Sequence, residues 1–259
     1  MHIALCNIPI VWEDPDKNIE VCNSIVDSIL RFNSGVELIL FPEFFTYGFI
    51  VDSLVYEESE GKSLSWMKEA AYKYNTAIYG SVPVKNGNNI YNRGYFVKPD
   101  KSYEFYDKRH LFSYGGENRL FTPGDKRVVI KFNGWKILLQ ICYDLRFPVW
   151  SRNVNLEYDL ILNIASWPAS RSEVIKPLAI ARAIENQSYY AFLNRSGYDP
   201  KSHYSGDSFV ATWESSLLTP VLSDNNNHYS IFHLDIDAIN IFRSKFPAWE
   251  DSDNFIINY

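Results

Sequence analysis

Apolar positions along the chain change their spacing several times, and each change marks an element. Met1–Ile10 reads as a strand, with Leu5 and Cys6 on the inside. Asp14 or Asp16 can cap a helix running to about residue 31, because Ile19, Cys22, Ile25, Val26, Ile29 and Leu30 keep one face at helical spacing. Val36–Phe41 is an unbroken apolar run that stops at Pro42-Glu43 and suits a strand buried on both faces. A second helix is predicted over Lys62–Tyr74, then a strand over Ala77–Val82. Tyr91–Val97 and Tyr103–Tyr106 form a hairpin about Pro99-Asp100. Val128–Phe132 and Trp135–Ile141 flank Asn133-Gly134, a strong two-residue hairpin signal, since both turn residues must take positive φ.

The second half continues the alternation. A helix is predicted from Pro148 to Asn155, a strand over Leu160–Ala165, and a helix from about Ser172 to Gln187 that tolerates Pro177 only in its first turn. Tyr189–Asn194, Ser208–Thr212, Leu217–Val221 and Tyr229–Leu234 read as further strands. Hairpins interleaved with strand–helix units define an α/β chain. Such sheets bind ligands beyond the carboxyl ends of their strands. Four apolar runs exit into Glu43, Lys108, Cys142 and Ser166-Trp167, which marks these residues as candidates for one cleft.

Composition narrows the classes. The 259 residues show no internal repeat or long linker, so one domain over 1–259 is expected. A net charge of −6 argues against a duplex nucleic-acid binder, which needs a basic face for phosphates. No apolar run approaches the ~20 residues of a membrane span, and Met1–Ile10 lacks the features of a signal peptide. Cys6, Cys22 and Cys142 are too far apart for a disulfide framework or a zinc knuckle, so a reducing cytoplasm is expected. The histidines show no ligand spacing such as H-E-x-x-H, and neither a metal nor a cofactor is expected. No G-x-S-x-G, Walker or G-x-G-x-x-G pattern points to a serine hydrolase or a nucleotide site.

Cys142 stands out by position. It ends the apolar run Ile137–Ile141 and precedes Tyr143-Asp144-Leu145-Arg146-Phe147-Pro148. A sharp turn after a strand exposes a side chain and aims backbone N–H groups at the same point, which suits a nucleophile with an oxyanion site. A thiol with a pKa of about 8.5 needs a base and a cation to attack at neutral pH. No histidine sits in a comparable position, and His110 reads equally as a structural hydrogen-bonder. Glu43 and Lys108 can supply the two functions instead. Taken singly, each has a plain alternative: a buried thiol, a loop acid, a surface lysine.

Taken together they resemble the nitrilase superfamily of carbon–nitrogen hydrolases. Phe41-Pro42-Glu43-Phe44-Phe45, Tyr106-Asp107-Lys108-Arg109-His110-Leu111-Phe112 and Cys142-Tyr143-Asp144-Leu145-Arg146-Phe147-Pro148 resemble its three signature blocks, in family order. The resemblance implies a four-layer α-β-β-α sandwich with a Glu43-Lys108-Cys142 triad. It also implies a second glutamate after the lysine block, a place that Glu117 in Gly115-Gly116-Glu117-Asn118 matches, and an oxyanion bound by Lys108 and the backbone N–H of Tyr143.

Four further blocks resemble the bacterial ω-amidase (2-oxoglutaramate amidase) branch: Asn163–Pro168, Ala181–Gln187, His203–Ser208 and Phe246–Trp249. Phe44 and Tyr47 depart from the Met and Ser that related members often carry. The implied substrate is a small amide with a distal carboxylate, for which Arg146, Arg171 and Arg195 are the candidate partners. A structural ion pair with Asp144 or a neighbour is the favoured reading of Arg146. Trp167 and Tyr114 are candidate pocket-lining residues, with Trp249 at the pocket or its rim. A carbamoyl-amine hydrolase, a deaminated-glutathione-type amidase and an inactive binding module of the same fold are the alternatives. The resemblance further implies a homodimer, with the segment Phe246–Tyr259 as an arm at the contact.

Overall fold

A computed structural model describes residues 1–51, 55–224, 226, 228–253 and 255–256. Two sheets carry the fold. The larger has eight strands in the order Leu222–Ser223, Ser230–His233, His2–Leu5, Leu38–Leu40, Ala77–Asn86, Asn89–Val97, Tyr103–Asp107, with Glu57–Glu58 pairing on Ala77–Asn86. The smaller has five, in the order Phe209–Ala211, Tyr189–Asn194, Leu160–Ala165, Trp135–Ile141, Val129–Phe132.

The central strands run parallel, His2–Leu5 beside Leu38–Leu40 beside Ala77–Asn86 in one sheet, and Trp135–Ile141 beside Leu160–Ala165 beside Tyr189–Asn194 in the other. Their alternation explains the unbroken apolar runs. Ile3, Leu5, Leu38, Leu40 and Tyr79 point into a core shared with Ile137, Leu139 and Leu162 of the smaller sheet. Ala4, Cys6, Ile39, Phe41 and Ile78 point the other way, onto Cys22, Val26 and Ile29 of the helix Pro15–Phe32 and Leu64 and Met67 of Lys62–Tyr74. A strand covered on both faces needs apolar residues at every position. On the far side, Ile175, Ala179 and Ala183 of the helix Ile175–Glu185 and Ile239 of Ile236–Lys245 cover the smaller sheet. The result is a four-layer α-β-β-α sandwich.

Several predicted elements shift. Asp14 is the cap of the first helix, its carboxylate accepting from Lys17 N. The helix expected over 148–155 breaks after Pro148–Ser151, because Arg152 leaves the helical region and Asn155 takes φ +53°. Pro177 is the third residue of Ile175–Glu185, where its missing N–H is tolerated. Leu217–Val221 is not a strand; a bridge from Leu217 to Ala211 is what forms, before Pro220, which has no N–H to donate. The helix Ile236–Lys245, the small hairpin Ser196–Tyr198 with His203–Ser205, and the two-residue strands Glu57–Glu58 and Leu222–Ser223 were not anticipated. Of the expected arm, residues 254 and 257–259 lie outside the described residues; its start forms a turn over Ala248–Asp251.

Candidate active site

Glu43, Lys108, Cys142 and Ser166 meet at the carboxyl ends of the central strands. Glu43 follows Leu38–Leu40, Cys142 follows Trp135–Ile141 and Ser166 follows Leu160–Ala165. Lys108 leaves Tyr103–Asp107. Its loop is set by a close backbone approach: Gly124 N donates to Lys108 O at 2.9 Å, and a Cβ on Gly124 would lie 2.1 Å from Asp107 O. Only glycine fits there.

The charged groups form one buried cluster. Lys108 Nζ donates to Glu43 Oε1 at 2.7 Å and to Glu117 Oε2 at 2.9 Å, and all three side chains are fully buried. Ser166 N donates to Glu43 Oε2 at 2.9 Å, and Phe112 N donates to Glu117 Oε2 at 2.6 Å. Asn92 Nδ2 donates to Glu43 Oε1 at 2.8 Å and to Glu117 Oε1 at 3.0 Å. Buried charges persist only when paired and bonded in this way. Burial alone would depress Lys108, but Glu117 and then Glu43 outweigh it and hold the ammonium charged. Burial raises the Glu117 carboxyl; Lys108 opposes the rise and Glu43 adds to it.

Cys142 is 7% exposed and sits at φ +47°, a left-handed conformation that costs a side-chain-bearing residue about 1–3 kcal/mol. The turn is braced from behind. Asp144 Oδ2 accepts from Ile141 N at 3.0 Å and from the Tyr106 hydroxyl at 2.7 Å, while Oδ1 accepts from His110 N at 3.1 Å and lies 2.8 Å from His110 Nδ1. The fully buried Asp144 therefore ties the nucleophile turn to the lysine block. His110, stacked on Phe147 at 3.7 Å, serves this brace. The Cys142 thiol lies where it feels both Glu43 and Lys108. Burial pushes the thiol well above its usual value, Glu43 adds to the rise and Lys108 opposes it. Cys142 therefore rests as a thiol beside a carboxylate and an ammonium. Cys6 and Cys22 lie in the core with no exposure.

Cys142 opens into a cleft whose walls include Phe49, Phe112, Tyr143, Trp167, Arg146 and Arg171. Arg146 is exposed and its guanidinium lies 5.2 Å from the Trp167 ring centre. The favoured Asp144–Arg146 pair does not form, because Asp144 points inward to the brace. Arg171 lies 4.6 Å from the Phe112 ring centre and 5.8 Å from that of Tyr114, which is 88% exposed at the rim. Trp167 is buried, with its indole N–H on Arg171 O at 2.9 Å.

Arg195 is a correction. It is fully buried, is not a wall of the cleft, and donates to the carbonyls of Ile10 and Tyr198 at 3.0 and 3.3 Å. It holds the loop that presents Asp199, Lys201, Ser202 and Tyr204 to the cleft. The Asp199 carboxylate is already engaged by Lys201 N, Ser202 N and the Tyr204 hydroxyl at 2.8, 2.7 and 2.6 Å. Trp249 lies in the turn Ala248–Asp251 and is likewise no part of the cleft wall. Two contributors escaped the sequence reading, Asn92 and the Asp144 brace. An asparagine between Tyr91 and Arg93 in a strand was the available signal, since Asn is depleted in strands. Among the described residues, no set of three or more His, Cys, Asp or Glu is placed to hold a metal ion.

Comparison with known proteins agrees with this geometry. The family model described as carbon-nitrogen hydrolase matches residues 2–243. The chain is 38% identical over 256 residues to the omega-amidase YafV of Escherichia coli K12, covering 98% of each. It is 29% identical over 257 residues to the 2-oxoglutaramate amidase of Bacillus subtilis, covering 96% of each. A CN-hydrolase superfamily protein from Xanthomonas campestris, solved with an arsenic adduct in its active site, superposes with a TM-score of 0.92 at 32% identity, covering 100% of this chain and 99% of that one.

Proposed function

The chain belongs to the carbon-nitrogen hydrolase (nitrilase) family, and on that premise we propose that it is a thiol amidase releasing ammonia from small ω-amides such as 2-oxoglutaramate. The observation that carries this reading is the contact between the Cys142 thiol and a Glu43 carboxylate that is itself bonded to Lys108, at the floor of a cation-walled cleft.

Glu43 takes the thiol proton as Sγ bonds to the amide carbon. The carbonyl oxygen becomes an oxyanion held by Lys108 Nζ and the Tyr143 N–H, which opens the short turn after the strand. The C–N bond breaks, the nitrogen takes the proton from Glu43, and ammonia leaves a thioester on Cys142. Water attacks that thioester, giving a proton to Glu43. The C–S bond breaks, the acid departs, and Glu43 returns the proton to sulfur. Because the thiol is raised, proton transfer and attack are coupled, and Glu43 is needed at neutral pH. Glu117 keeps Lys108 in place.

The far end of the cleft selects the substrate. Arg146, Arg171 and Lys201 face it, against one acid, Asp199, whose oxygens are already bonded. A net positive wall favours an amide that ends in a carboxylate, with Arg146 and Arg171 as its partners. Ammonia release from 2-oxoglutaramate, 2-oxosuccinamate and glutamine tests this. Turnover of the first two well above glutamine is expected; preference for a carbamoyl amine or a deaminated peptide would reassign the substrate.

The same reading takes residues 1–259 as one domain, acting in the cytoplasm as a homodimer. Exposed apolar residues Val149, Ile184 and Phe246, on segments near or after the nucleophile, support a subunit contact. Solution mass at twice the chain mass is the expected result. Among the described residues, no helix is long and apolar enough to cross a membrane.

A further inference from the structure

With Glu43 read as the base for Cys142, as proposed above, the least expected residue in the cluster is Asn92. It bonds to both carboxylates and to the backbone of the lysine between them. Its carbonyl accepts from Lys108 N at 2.9 Å, and its single side-chain nitrogen donates to Glu43 Oε1 at 2.8 Å and Glu117 Oε1 at 3.0 Å. The orientation of the amide is fixed by chemistry: turned over, its oxygen would face two carboxylates. Its Oδ1 is buried with no hydrogen-bond partner among the described residues. A native fold leaves such an atom only where another demand overrides, since buried polar atoms are otherwise bonded.

The Asn92 side-chain nitrogen is spent on the two carboxylates, so it acts through them. We propose that Asn92 is a positioning residue of the reaction: its amide clamps the two carboxylates to one ammonium, so that Glu43 meets the Cys142 thiol ionised and in fixed orientation. Two buried carboxylates around one lysine carry an excess negative charge and repel. The Asn92 amide gives each a donor without adding charge. Losing this donor leaves Glu43 Oε1 with Lys108 alone and lets the carboxylate turn from the thiol. The groups that face Glu43 are Lys108, Glu117, Cys142 and the buried Tyr79 hydroxyl, which already feels the Glu43 charge.

The test pairs Asn92→Leu, which keeps the bulk and removes the donor, with Asn92→Asp, which keeps the shape and adds a third acid. The readouts are kcat and KM for 2-oxoglutaramate and the pH dependence of Cys142 alkylation by iodoacetamide, which needs no knowledge of the natural substrate. For Asn92→Leu we expect kcat to fall roughly tenfold to hundredfold with KM changed less than about threefold. On the acid limb, alkylation should be slower than in wild type at the same pH. Asn92→Asp should lose more. If Asn92→Leu does not fold, Asn92→Asp decides on the same readouts. An unmoved acid limb in a folded variant, or losses confined to KM, would overturn the proposal. Glu43→Gln separates the two levels: if it leaves the acid limb intact, Glu43 is not the base and the parent reading fails; if it abolishes the limb while the Asn92 variants leave it unmoved, the clamp alone fails.

Discussion

The floor of the cleft and its rim are built by opposite means. At the floor, Glu43 and Lys108 leave the ends of strands, Asn92 lies within a strand and Glu117 opens a helical turn; all four are buried, and each is held by hydrogen bonds of 2.6–3.1 Å. At the rim, Arg146 and Tyr114 are exposed, and Arg146 and Arg171 lie against aromatic faces, at 4.6–5.8 Å. A buried charged cluster tolerates almost no change, because removing one member strands the others. A solvated aromatic–cation rim can change residue by residue at little cost to the fold. The reaction class is thus written into the floor, and substrate choice into the rim.

Changes at the floor should therefore cost most. Cys142→Ala should abolish ammonia release with the circular dichroism spectrum unchanged. Lys108→Ala should be near-inactive and also destabilised, by about 3–5 kcal/mol, because two carboxylates are left facing each other in the core; denaturant unfolding measures it. Glu43→Gln should be near-inactive but folded. Its alkylation by iodoacetamide should be slower than wild type at pH 7, where the base is missing. It should level off at lower pH than wild type, because burial first and Glu43 second hold the thiol above its ordinary value of 9.0, and removing Glu43 takes away part of that rise. A wild-type curve that levels off below pH 9 would contradict this.

The rim should respond differently. Arg146→Ala and Arg171→Ala should each weaken kcat/KM for 2-oxoglutaramate, the residue that holds the carboxylate by roughly tenfold to a hundredfold, and an uncharged amide far less. Equal losses on both substrates would reject the carboxylate assignment and blur the contrast between floor and rim. Tyr114→Ala, at the exposed edge, should change kcat/KM about twofold, which steady-state rates resolve.

The two regions were also unequally legible in the sequence. Leu160–Ala165, Tyr189–Asn194 and the helix Lys62–Tyr74 match their apolar patterns to the residue, because burial on one or two faces dictates every position. Glu43, Lys108 and Cys142 follow such runs, which marked them as candidates for one cleft before their convergence was seen. The rim sits on loops whose partners are far away in sequence. Nothing near Arg195 announces that its guanidinium is taken by the carbonyl of Ile10, 185 positions earlier. Nothing near Arg146 announces that Asp144 is claimed by Tyr106 and His110. The helix Ile236–Lys245 was obscured because it buries only Ile239 and Arg243, too few positions to show a period. The hairpin Ser196–Tyr198 with His203–Ser205 is polar and partly exposed, with Tyr204 its one buried residue, so it lacks an alternating pattern.

The central claim is that one thiol at the floor performs the hydrolysis. Ammonia release from 2-oxoglutaramate by wild type and by Cys142→Ala, at equal concentrations of folded protein, tests it most directly. The account predicts steady release by wild type and none above buffer from the variant. Release by Cys142→Ala at the wild-type rate would contradict it.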